Sequence, residues 1–482
     1  WLVTPLNGGG AHPAKASPAI ALNTIDKPLE IREYGGLYRK DGTGLFFGPV
    51  GTPTAYVNAS ISHRRDGRVL LDLRSDMGGV RVDPGEVRWG QQVVLLLEPP
   101  GRALSRWSDW VAKSHGARTS KGALSGWSDW NSQKKRDTGQ ELLQIANAVR
   151  TSGGRLSPEV IQTEGINQPV LDAPWLTNCA QNVAAIGSRF GLQLSFSGNA
   201  NPAQPTVTEI TGTVSRAVQG GFNYLKIRHP LANTPMVDEK RTAFETYRDT
   251  WAAIRKAAGE DAYIVFSDNS PNRAVIGSVD AGRIGADAGR RSLRPGMNDV
   301  LRSYQLQGRW FAVDNDTYYM GTQIADVGDV PGGWPMVRTW ISMVGLSCGA
   351  AITSDPWHRD SLRHHWRNVE VLTPPAKERT EVLDLCREPQ WPRLVGHVAR
   401  YWGDWTVALL WNPGDSETSI RLDFAGAGLD PAKNYAVWSF WDNLYLGVAS
   451  GSWTTPTLAP SGSQHLRFTD LDRTPNKPVV IG

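Results

Sequence analysis

Hydrophobic positions in the first quarter of the chain follow the short spacing of β-strands. Within residues 1–118, runs rich in Val and Leu at 67–73 and 91–98 are bounded by Gly and Pro. Short strands separated by such turn residues predict a β-sandwich. The segment 107–110, the first of two Trp-Ser-Asp-Trp sequences, is predicted to lie in a helix that links this domain to the next.

From about residue 122, buried strands alternate with amphipathic helices. A capping box formed by Thr138 and Glu141 precedes apolar residues on one helical face, and Gly153 ends that helix. The predicted strands are 124–130, 159–162, 192–196, 223–227, 262–266, 278–284, 310–313 and 350–353. Helices are predicted at 242–258, 334–345 and 358–371. Eight βα units in about 250 residues predict a (β/α)8 barrel. A doubly wound sheet is disfavoured because no Gly-x-Gly-x-x-Gly lies at a strand–helix turn.

The helical spacing disappears after Pro374 and Pro375. Four further runs predict strands of a compact antiparallel domain: 406–411, 418–424, 435–440 and 465–480. The predicted fold class is therefore a multidomain α/β protein. It comprises an N-terminal β-sandwich at 1–118, a (β/α)8 barrel at 119–375 and a C-terminal antiparallel β-domain at 376–482.

Composition narrows the classes of function. The chain has 482 residues, of which 40% are hydrophobic and 20% charged, and this excludes a largely disordered protein. The net charge of +4 is spread without a dense Lys/Arg run, so we expect no nucleic-acid partner. No run of 18 or more apolar residues is present, so no membrane span is expected. The 20 Trp against 11 Phe favour a carbohydrate ligand, because indole faces stack on sugar rings.

The sequence contains few signals for a metal site, a cofactor or a cellular compartment. The three cysteines have no metal-ligand spacing and are predicted to be buried thiols. His358, His364 and His365 share one segment without the spacing of a metal triad, and we predict no metal and no cofactor. The chain starts at Trp1 without Met or a signal peptide. We expect a trimmed, secreted or periplasmic protein, with a cytoplasmic location and the oligomeric state left open.

Chemistry in such a barrel takes place at the carboxyl ends of its strands. The candidates there are Trp127, Asp129 and Trp130 after the first strand, Thr163 and Glu164 after the second, Lys226, Arg228 and His229 after the fourth, Asp268 after the fifth, Arg283 and Asp287 after the sixth, Asp314 and Asp316 after the seventh, and Asp355 after the eighth. Paired acids and aromatic platforms at one barrel mouth are what glycoside hydrolysis requires. Alternatives stay open for two kinds of residue: Lys226 could pair with Glu164 or Asp129, and the two tryptophans could be sugar platforms or packing.

Five segments, in order from about residue 122 to the C-terminal domain, carry a family resemblance. They are Gly-Trp-Ser-Asp-Trp at 126–130, Phe-Asn-Tyr-Leu-Lys-Ile at 222–227, Gly-Ser-Val-Asp-Ala-Gly-Arg-Ile-Gly-Ala-Asp at 277–287, Phe-Ala-Val-Asp-Asn-Asp at 311–316 and Tyr-Ala-Val-Trp-Ser-Phe-Trp at 435–441. The chain thereby resembles the melibiase-type α-galactosidases and raffinose-synthase-like glycoside hydrolases. The resemblance implies exo-acting cleavage of a terminal α-linked sugar, with retention of configuration.

The resemblance implies that Asp287 is the general acid/base. The nucleophile position, however, holds Arg228, which stays protonated and cannot attack an anomeric carbon. The family's Asp-Asp-Gly after strand two reads Thr163-Glu164-Gly165 here, so galactose recognition stays open. Arg228 is interpreted in three ways. It could clamp an anionic sugar, mark a homologue that binds without cleaving, or pair structurally with an acid of the barrel while the nucleophile lies elsewhere.

The sequence therefore predicts an exo-acting glycosidase that cleaves a terminal α-linked sugar. If Arg228 clamps the substrate, that sugar would be acidic: a sialic acid, a uronate or a sulfated sugar. Asp287 is predicted as the proton donor, and His229 with Glu164, Asp268 or Asp314 would activate water in an inverting reaction. Two alternatives are retained. One is an enzyme of the neutral-sugar α-galactosidase type, and the other is a carbohydrate-binding homologue without catalysis.

Overall fold

The computed structural model describes residues 2–5, 20–21, 27–39, 41–64, 66–131, 138–166, 171–196, 205–228, 239–268, 271–285, 293–321, 323–324, 328–330, 332–383, 385 and 393–473. The order of elements along these residues is β-strands, then alternating strands and helices, then β-strands again. In the described part of the chain, no helix has the length and hydropathy needed to cross a membrane.

The N-terminal strands form two antiparallel sheets. They are β1 (Leu2–Pro5), β2 (Ile20–Ala21), β3 (Leu29–Arg32), β4 (Gly35–Tyr38), β5 (Gly44–Val50), β6 (Tyr56–His63), β7 (Val69–Asp76) and β8 (Gln92–Leu96). One sheet has the order β2-β1-β4-β5-β8 and the other β3-β6-β7. Ile31 and Ile61 of the second sheet pack against Leu37 and Phe47 of the first in a shared core. Apolar faces buried between two sheets are what defines a sandwich, as predicted.

Helix α1 (Pro100–Ser114) joins the sandwich to the barrel. Its buried residues Leu104, Trp107 and Val111 recur at helical spacing, and they face the sandwich and the barrel. The indole N–H of Trp107 donates to the carbonyl of Pro49 at 2.8 Å, and its ring lies 5.3 Å from that of Trp310. The predicted linker helix is therefore confirmed, with one tryptophan packed against both domains.

Eight parallel strands close into a barrel, as predicted. In barrel order they are β9 (Ser125–Ser128), β10 (Val160–Ile166), β11 (Arg189–Ser195), β12 (Tyr224–Arg228), β13 (Tyr263–Phe266), β14 (Ala281–Arg283), β15 (Ala312–Tyr318) and β18 (Ala350–Thr353). Pairing of β18 with β9 closes the cylinder. A two-stranded hairpin of β16 (Gln323–Ile324) and β17 (Gly328–Asp329) lies between β15 and the next helix.

Helices follow the barrel strands in sequence. They are α2 (Thr138–Thr151), α3 (Pro174–Ala184), α4 (Val207–Gln219), α5 (Ala243–Ala258), α6 (Arg294–Ser303), α7 (Gly333–Ser347) and α8 (Arg367–Glu370). Capping boxes begin α4 at Thr206 and α5 at Thr242, because each hydroxyl accepts from the backbone N–H of a glutamate three residues later. The predicted box at Thr138 falls next to residues outside the described ranges.

The helix predicted at 358–371 is wrong in type. Residues Asp360–His365 form a 3₁₀ turn, and only Arg367–Glu370 are α-helical. No side chain within the 3₁₀ turn is buried.

The C-terminal domain is antiparallel, as predicted. Its strands are β19 (Thr380–Val382), β20 (Arg393–Arg400), β21 (Gly403–Trp411), β22 (Arg421–Asp423), β23 (Tyr435–Ser439), β24 (Leu444–Ala449), β25 (Ser452–Thr454) and β26 (Ser463–Asp470). Six of them form the sheet β19-β20-β21-β26-β23-β24, and β22 pairs with β25. The core between the two includes Leu410, Leu422, Phe424 and Phe468. The last strand ends at Asp470, and residues 474–482 lie outside the described part.

Candidate active site at the barrel mouth

Charged side chains reach the barrel interior because strand residues alternate between its two faces. Val160 and Tyr224 belong to the apolar cluster inside the barrel, so Glu164 and Lys226, an even number of residues further along, face the same interior. Glu164, Lys226, Arg283 and Asp314 are each at most 7% exposed. The strands end at one edge of the cylinder, and this edge is the barrel mouth.

Lys226 lies between two of these carboxylates. Its Nζ is 3.7 Å from Glu164 Oε1 and 3.7 Å from Asp314 Oδ2. Burial alone lowers the pKa of this ammonium, but the charges of Asp314, Glu164 and Asp316 outweigh burial and raise the pKa overall. The predicted pairing of Lys226 with Glu164 is therefore present. The structure brings strands two, four and seven together through one lysine.

Asp316 extends the charged cluster on strand seven. Its backbone N–H donates to Asp314 Oδ1 at 2.9 Å, and it adopts a left-handed φ of 64°. The carboxylate of Asp316 pairs with Arg283 of β14 at 3.0 Å. Cations and carboxylates thus alternate around the mouth, and we call these five residues the mouth cluster: Glu164, Lys226, Arg283, Asp314 and Asp316.

Glu164 is oriented through only one of its oxygens. The hydroxyl of Ser128 and the amide of Gln162 both donate to Oε1 at 2.8 Å. No described residue donates to Oε2. Ser128 and Gln162 were not among the predicted site residues. They are paired with each other across strands one and two. Because every second residue of a barrel strand faces the interior, counting along these two strands would have identified both as inward-facing.

Asp129, which was predicted to bind substrate, is hydrogen-bonded to the end of β10 in this structure. It is completely buried, and it accepts from the hydroxyl of Thr163 at 2.6 Å and from the backbone N–H of Glu164 at 2.8 Å. Burial raises the pKa of Asp129 well above its usual value, and the neighbouring charge of Glu164 adds to this. Asp129 therefore fixes the end of β10, including the backbone of Glu164.

The two tryptophans of strand one differ in exposure. Trp127 is completely buried, and its indole N–H donates to the carbonyl of Asp355 at 2.7 Å. Its ring offers no surface to a sugar in this structure, which agrees with the packing alternative. Trp130 is half-buried in the 3₁₀ turn Asp129–Asn131.

Asp355 follows strand eight and contacts the same wall. Its Oδ2 accepts from the backbone N–H of Met320 at 2.8 Å and from the hydroxyl of Thr353 at 2.6 Å. Burial raises the pKa of Asp355 to about 6, although both hydrogen bonds oppose this change. Asp355 thus joins strand eight to the residues that follow strand seven.

The remaining candidates lie at the rim or outside the described residues. Arg228 ends β12 half-buried, and among the described carboxylates none lies within ion-pair distance of it. Asp268, also half-buried, follows β13 and accepts from the hydroxyl of Tyr247 at 2.8 Å. His229 and Asp287 lie outside the described residues. In the described part of the chain, no group of three or more His, Cys, Asp or Glu side chains is arranged to hold a metal ion.

Solved structures with the same architecture are glycoside hydrolases. The GH36 α-galactosidase of Geobacillus stearothermophilus shares 13% identity over 92% of this chain and 72% of its own, with a TM-score of 0.60. The α-galactosidase I of Mortierella vinacea shares 13% identity over 72% and 97% of the two chains, with a TM-score of 0.58. The fold is that of the GH27 and GH36 α-galactosidases.

A third similar structure is that of an enzyme named for a different sugar. The GH27 β-L-arabinopyranosidase of Geobacillus stearothermophilus shares 12% identity over 78% of this chain and 99% of its own, with a TM-score of 0.58. No protein-family model matches the sequence, and no curated protein sequence matches it either. The fold implied by the sequence resemblance is thus confirmed by structure alone.

Proposed function

We propose that this protein is an exo-acting glycoside hydrolase that cleaves a terminal α-linked sugar from a glycan. The observation that supports this most is the mouth cluster, in which carboxylates and cations from four barrel strands converge where a (β/α)8 enzyme binds its substrate. Such a cluster offers several hydrogen-bonding groups to the hydroxyls of one sugar ring. The likeness to GH27 and GH36 enzymes supports the same reaction class.

The roles proposed for individual residues follow from their chemistry. Asp287 would protonate the leaving oxygen, as its place in the 277–287 segment implies. Arg228 at the nucleophile position cannot form a glycosyl intermediate. A water activated by Glu164, whose Oε2 accepts no hydrogen bond from a described residue, or by His229 would then attack the anomeric carbon. This assignment gives an inverting reaction.

An acidic sugar is the substrate class that Arg228 favours. Lys226 and Arg283 each lie within 4 Å of a carboxylate of the protein. Arg228 has no such partner among the described residues, and a guanidinium binds a carboxylate or sulfate bidentately. A sialic acid, uronate or sulfated sugar would provide that partner.

A neutral sugar is the second candidate. Lys226 has two carboxylates beside it, so it adds little net positive charge to the mouth. A mouth without excess positive charge favours a neutral sugar over an anionic one. The named neighbours act, by their names, on galactosides and arabinopyranosides, which are neutral. The third reading, binding without cleavage, is favoured by an arginine where the family has its nucleophile.

A panel of 4-nitrophenyl and 4-methylumbelliferyl glycosides separates these functions. It would include α-galactoside, β-L-arabinopyranoside, α-glucuronide and sialoside, tested with the wild type, Arg228→Ala and Arg216→Ala. Arg216 is a matched control because it forms an exposed ion pair with Asp172 on an outer helix. Hydrolysis confined to acidic glycosides and lost only in Arg228→Ala supports the clamp, and hydrolysis of neutral glycosides supports the second candidate.

Two further results of this experiment are informative. Measurable sugar binding by calorimetry without turnover of any glycoside would refute the hydrolase and support a binding protein. With an active substrate, ¹H NMR of the first anomer formed distinguishes inversion from retention. Release of the inverted anomer supports the water-based mechanism, and release of the retained anomer contradicts it.

A further inference from the structure

The N-terminal sandwich contacts the barrel segment between strands five and six through a buried ion pair. Glu33 and Arg273 are 3% and 1% exposed, and Arg273 Nε donates to Glu33 Oε2 at 2.8 Å. Arg273 also donates to the carbonyl of Ala55, and Glu33 Oε1 accepts from the backbone N–H of Val57. A buried pair with these additional hydrogen bonds holds the two domains in a fixed relative position, because separating them would leave either charge buried without its partner, which is costly.

The barrel side of this ion pair belongs to the segment that follows Asp268. Arg273 begins a 3₁₀ turn whose first N–H groups are capped by Asn272, which accepts from the backbone N–H of Ala274 at 2.9 Å. The side-chain amide of Asn272 donates to the hydroxyl of Tyr56 at 3.1 Å. The sandwich therefore fixes this turn through both its backbone cap and its arginine.

The same sandwich residues also contact the first turn of α5. The ring of Tyr56 packs edge-on against Phe244 with centroids 5.0 Å apart, and the guanidinium of Arg273 lies 4.3 Å from the centroid of Phe244. Tyr247 lies three residues after Phe244 and therefore on the same face of the helix. Tyr56, Phe244 and Tyr247 share one small apolar cluster.

Tyr247 connects this cluster to the mouth. Its hydroxyl donates to Asp268 Oδ2 at 2.8 Å, and Asp268 is a half-buried carboxylate at the end of strand five. Packing of the ring would suffice to attach the sandwich, and it would not require a hydrogen bond to a strand-end carboxylate. The hydrogen bond restricts the rotamer of Asp268 instead.

We infer that Tyr247 is a positioning residue for Asp268. The N-terminal sandwich contributes to the site indirectly, because it packs against Tyr247 and fixes the turn after Asp268. This inference rests on the proposed function and adds to it that Asp268, the candidate site residue after strand five, contacts the sugar. It assigns the sandwich to the affinity for substrate, because its contacts lead to a carboxylate at the rim and not to the mouth cluster.

The first test is the Tyr247→Phe variant, which keeps the ring and removes the hydroxyl. On the aryl glycoside that the wild type cleaves best, we expect KM to rise roughly tenfold, since a hydrogen bond to a charged group is lost, and kcat to change less than about twofold. Tyr435→Phe is the matched control, because it removes a buried hydroxyl that accepts from the backbone N–H of Asp430 in the C-terminal domain. An unchanged KM in Tyr247→Phe, or an equal rise in the control, overturns the inference.

A second measurement does not depend on turnover. Hydrogen–deuterium exchange of the full-length protein is compared between the wild type, Glu33→Gln and Tyr56→Ala in peptides covering 239–275. We expect faster exchange in both variants around the start of α5 and the turn after Asp268, with unchanged exchange in the C-terminal sheet. Unchanged exchange at 239–275 overturns the coupling. A wild type that cleaves no glycoside refutes the proposed function alone, since the exchange result still tests the coupling.

Discussion

The ammonium group of Lys226 lies 3.7 Å from Glu164 Oε1, with both side chains buried inside the barrel. The two hydrogen-bond donors described for that carboxylate, Ser128 and Gln162, both bond to the same oxygen, Oε1. A sugar hydroxyl at the mouth could therefore contact Glu164 beside the ammonium of Lys226.

Replacing Lys226 by Met is expected to destabilise the protein by about 3 kcal/mol, because Glu164 and Asp314 are then buried without a cation. Urea unfolding followed by circular dichroism measures this loss. The exposed Lys113→Met on α1 is the control and is expected to change stability by less than about 0.5 kcal/mol. Adding Glu164→Gln to Lys226→Met should recover part of the loss, and a double variant no more stable than the single one would argue against the pairing.

Asp355 predicts a pH dependence of stability. Burial raises its folded-state pKa from 3.8 to about 6, so folding favours the protonated carboxyl. This contribution is fully present below the unfolded pKa and is lost as the pH rises through about 6; it amounts to at most about 3 kcal/mol. Asp355→Asn stays neutral and lacks it. The free energy of unfolding of the wild type, minus that of Asp355→Asn, should fall between pH 4 and 7, and a flat difference would contradict the effect of burial.

Trp127 and Trp130 are expected to respond differently to substitution. Trp127→Phe loses the hydrogen bond to the carbonyl of Asp355 and part of a buried ring, so stability should fall by about 2 kcal/mol. Trp130→Ala removes the indole of a half-buried residue and should raise KM more than Trp127→Phe does. Thermal unfolding and steady-state kinetics of both variants measure this. A larger KM effect for Trp127 would restore it as a sugar platform.

Asp287→Asn tests the proposed proton donor. We expect kcat to fall by roughly 10²- to 10⁴-fold on an aryl glycoside with a poor leaving group, such as the unsubstituted phenyl glycoside. The loss should be much smaller on a 2,4-dinitrophenyl glycoside, whose leaving group departs without protonation. Equal losses on both substrates would show that Asp287 does not supply the proton.

The fold was largely predictable because its strands and helices carry clear periods. The strand predicted at 350–353 coincides with Ala350–Thr353, and the helix at 242–258 begins at the capping residue Thr242 and ends before Gly259. Strand six was predicted too long, because only Ala281–Arg283 form the strand, and of these only Ala281 and Gly282 pair with both neighbouring strands. The 3₁₀ turn at Asp360–His365 was missed because charged residues at helical spacing say nothing about burial.

The site was predictable in membership and less so in geometry. Rim positions followed from strand ends, but the position of Lys226 between Glu164 and Asp314 depends on the register of strands that are far apart in sequence. For Trp127, sequence could not distinguish a buried indole from an exposed one, since both suit a strand end. The hydrogen bond from Tyr247 to Asp268 links a helix to the end of a strand. Neither the helical nor the strand periodicity of the sequence predicts such a contact.

The most direct test of the proposed site is a crystal structure with the monosaccharide released from the best substrate. We predict sugar hydroxyls within hydrogen-bond distance of Glu164 Oε2, Lys226 and Asp314, with the anomeric carbon toward Asp287. A sugar bound at saturating concentration only outside the barrel, with the mouth cluster occupied by water, would contradict this prediction.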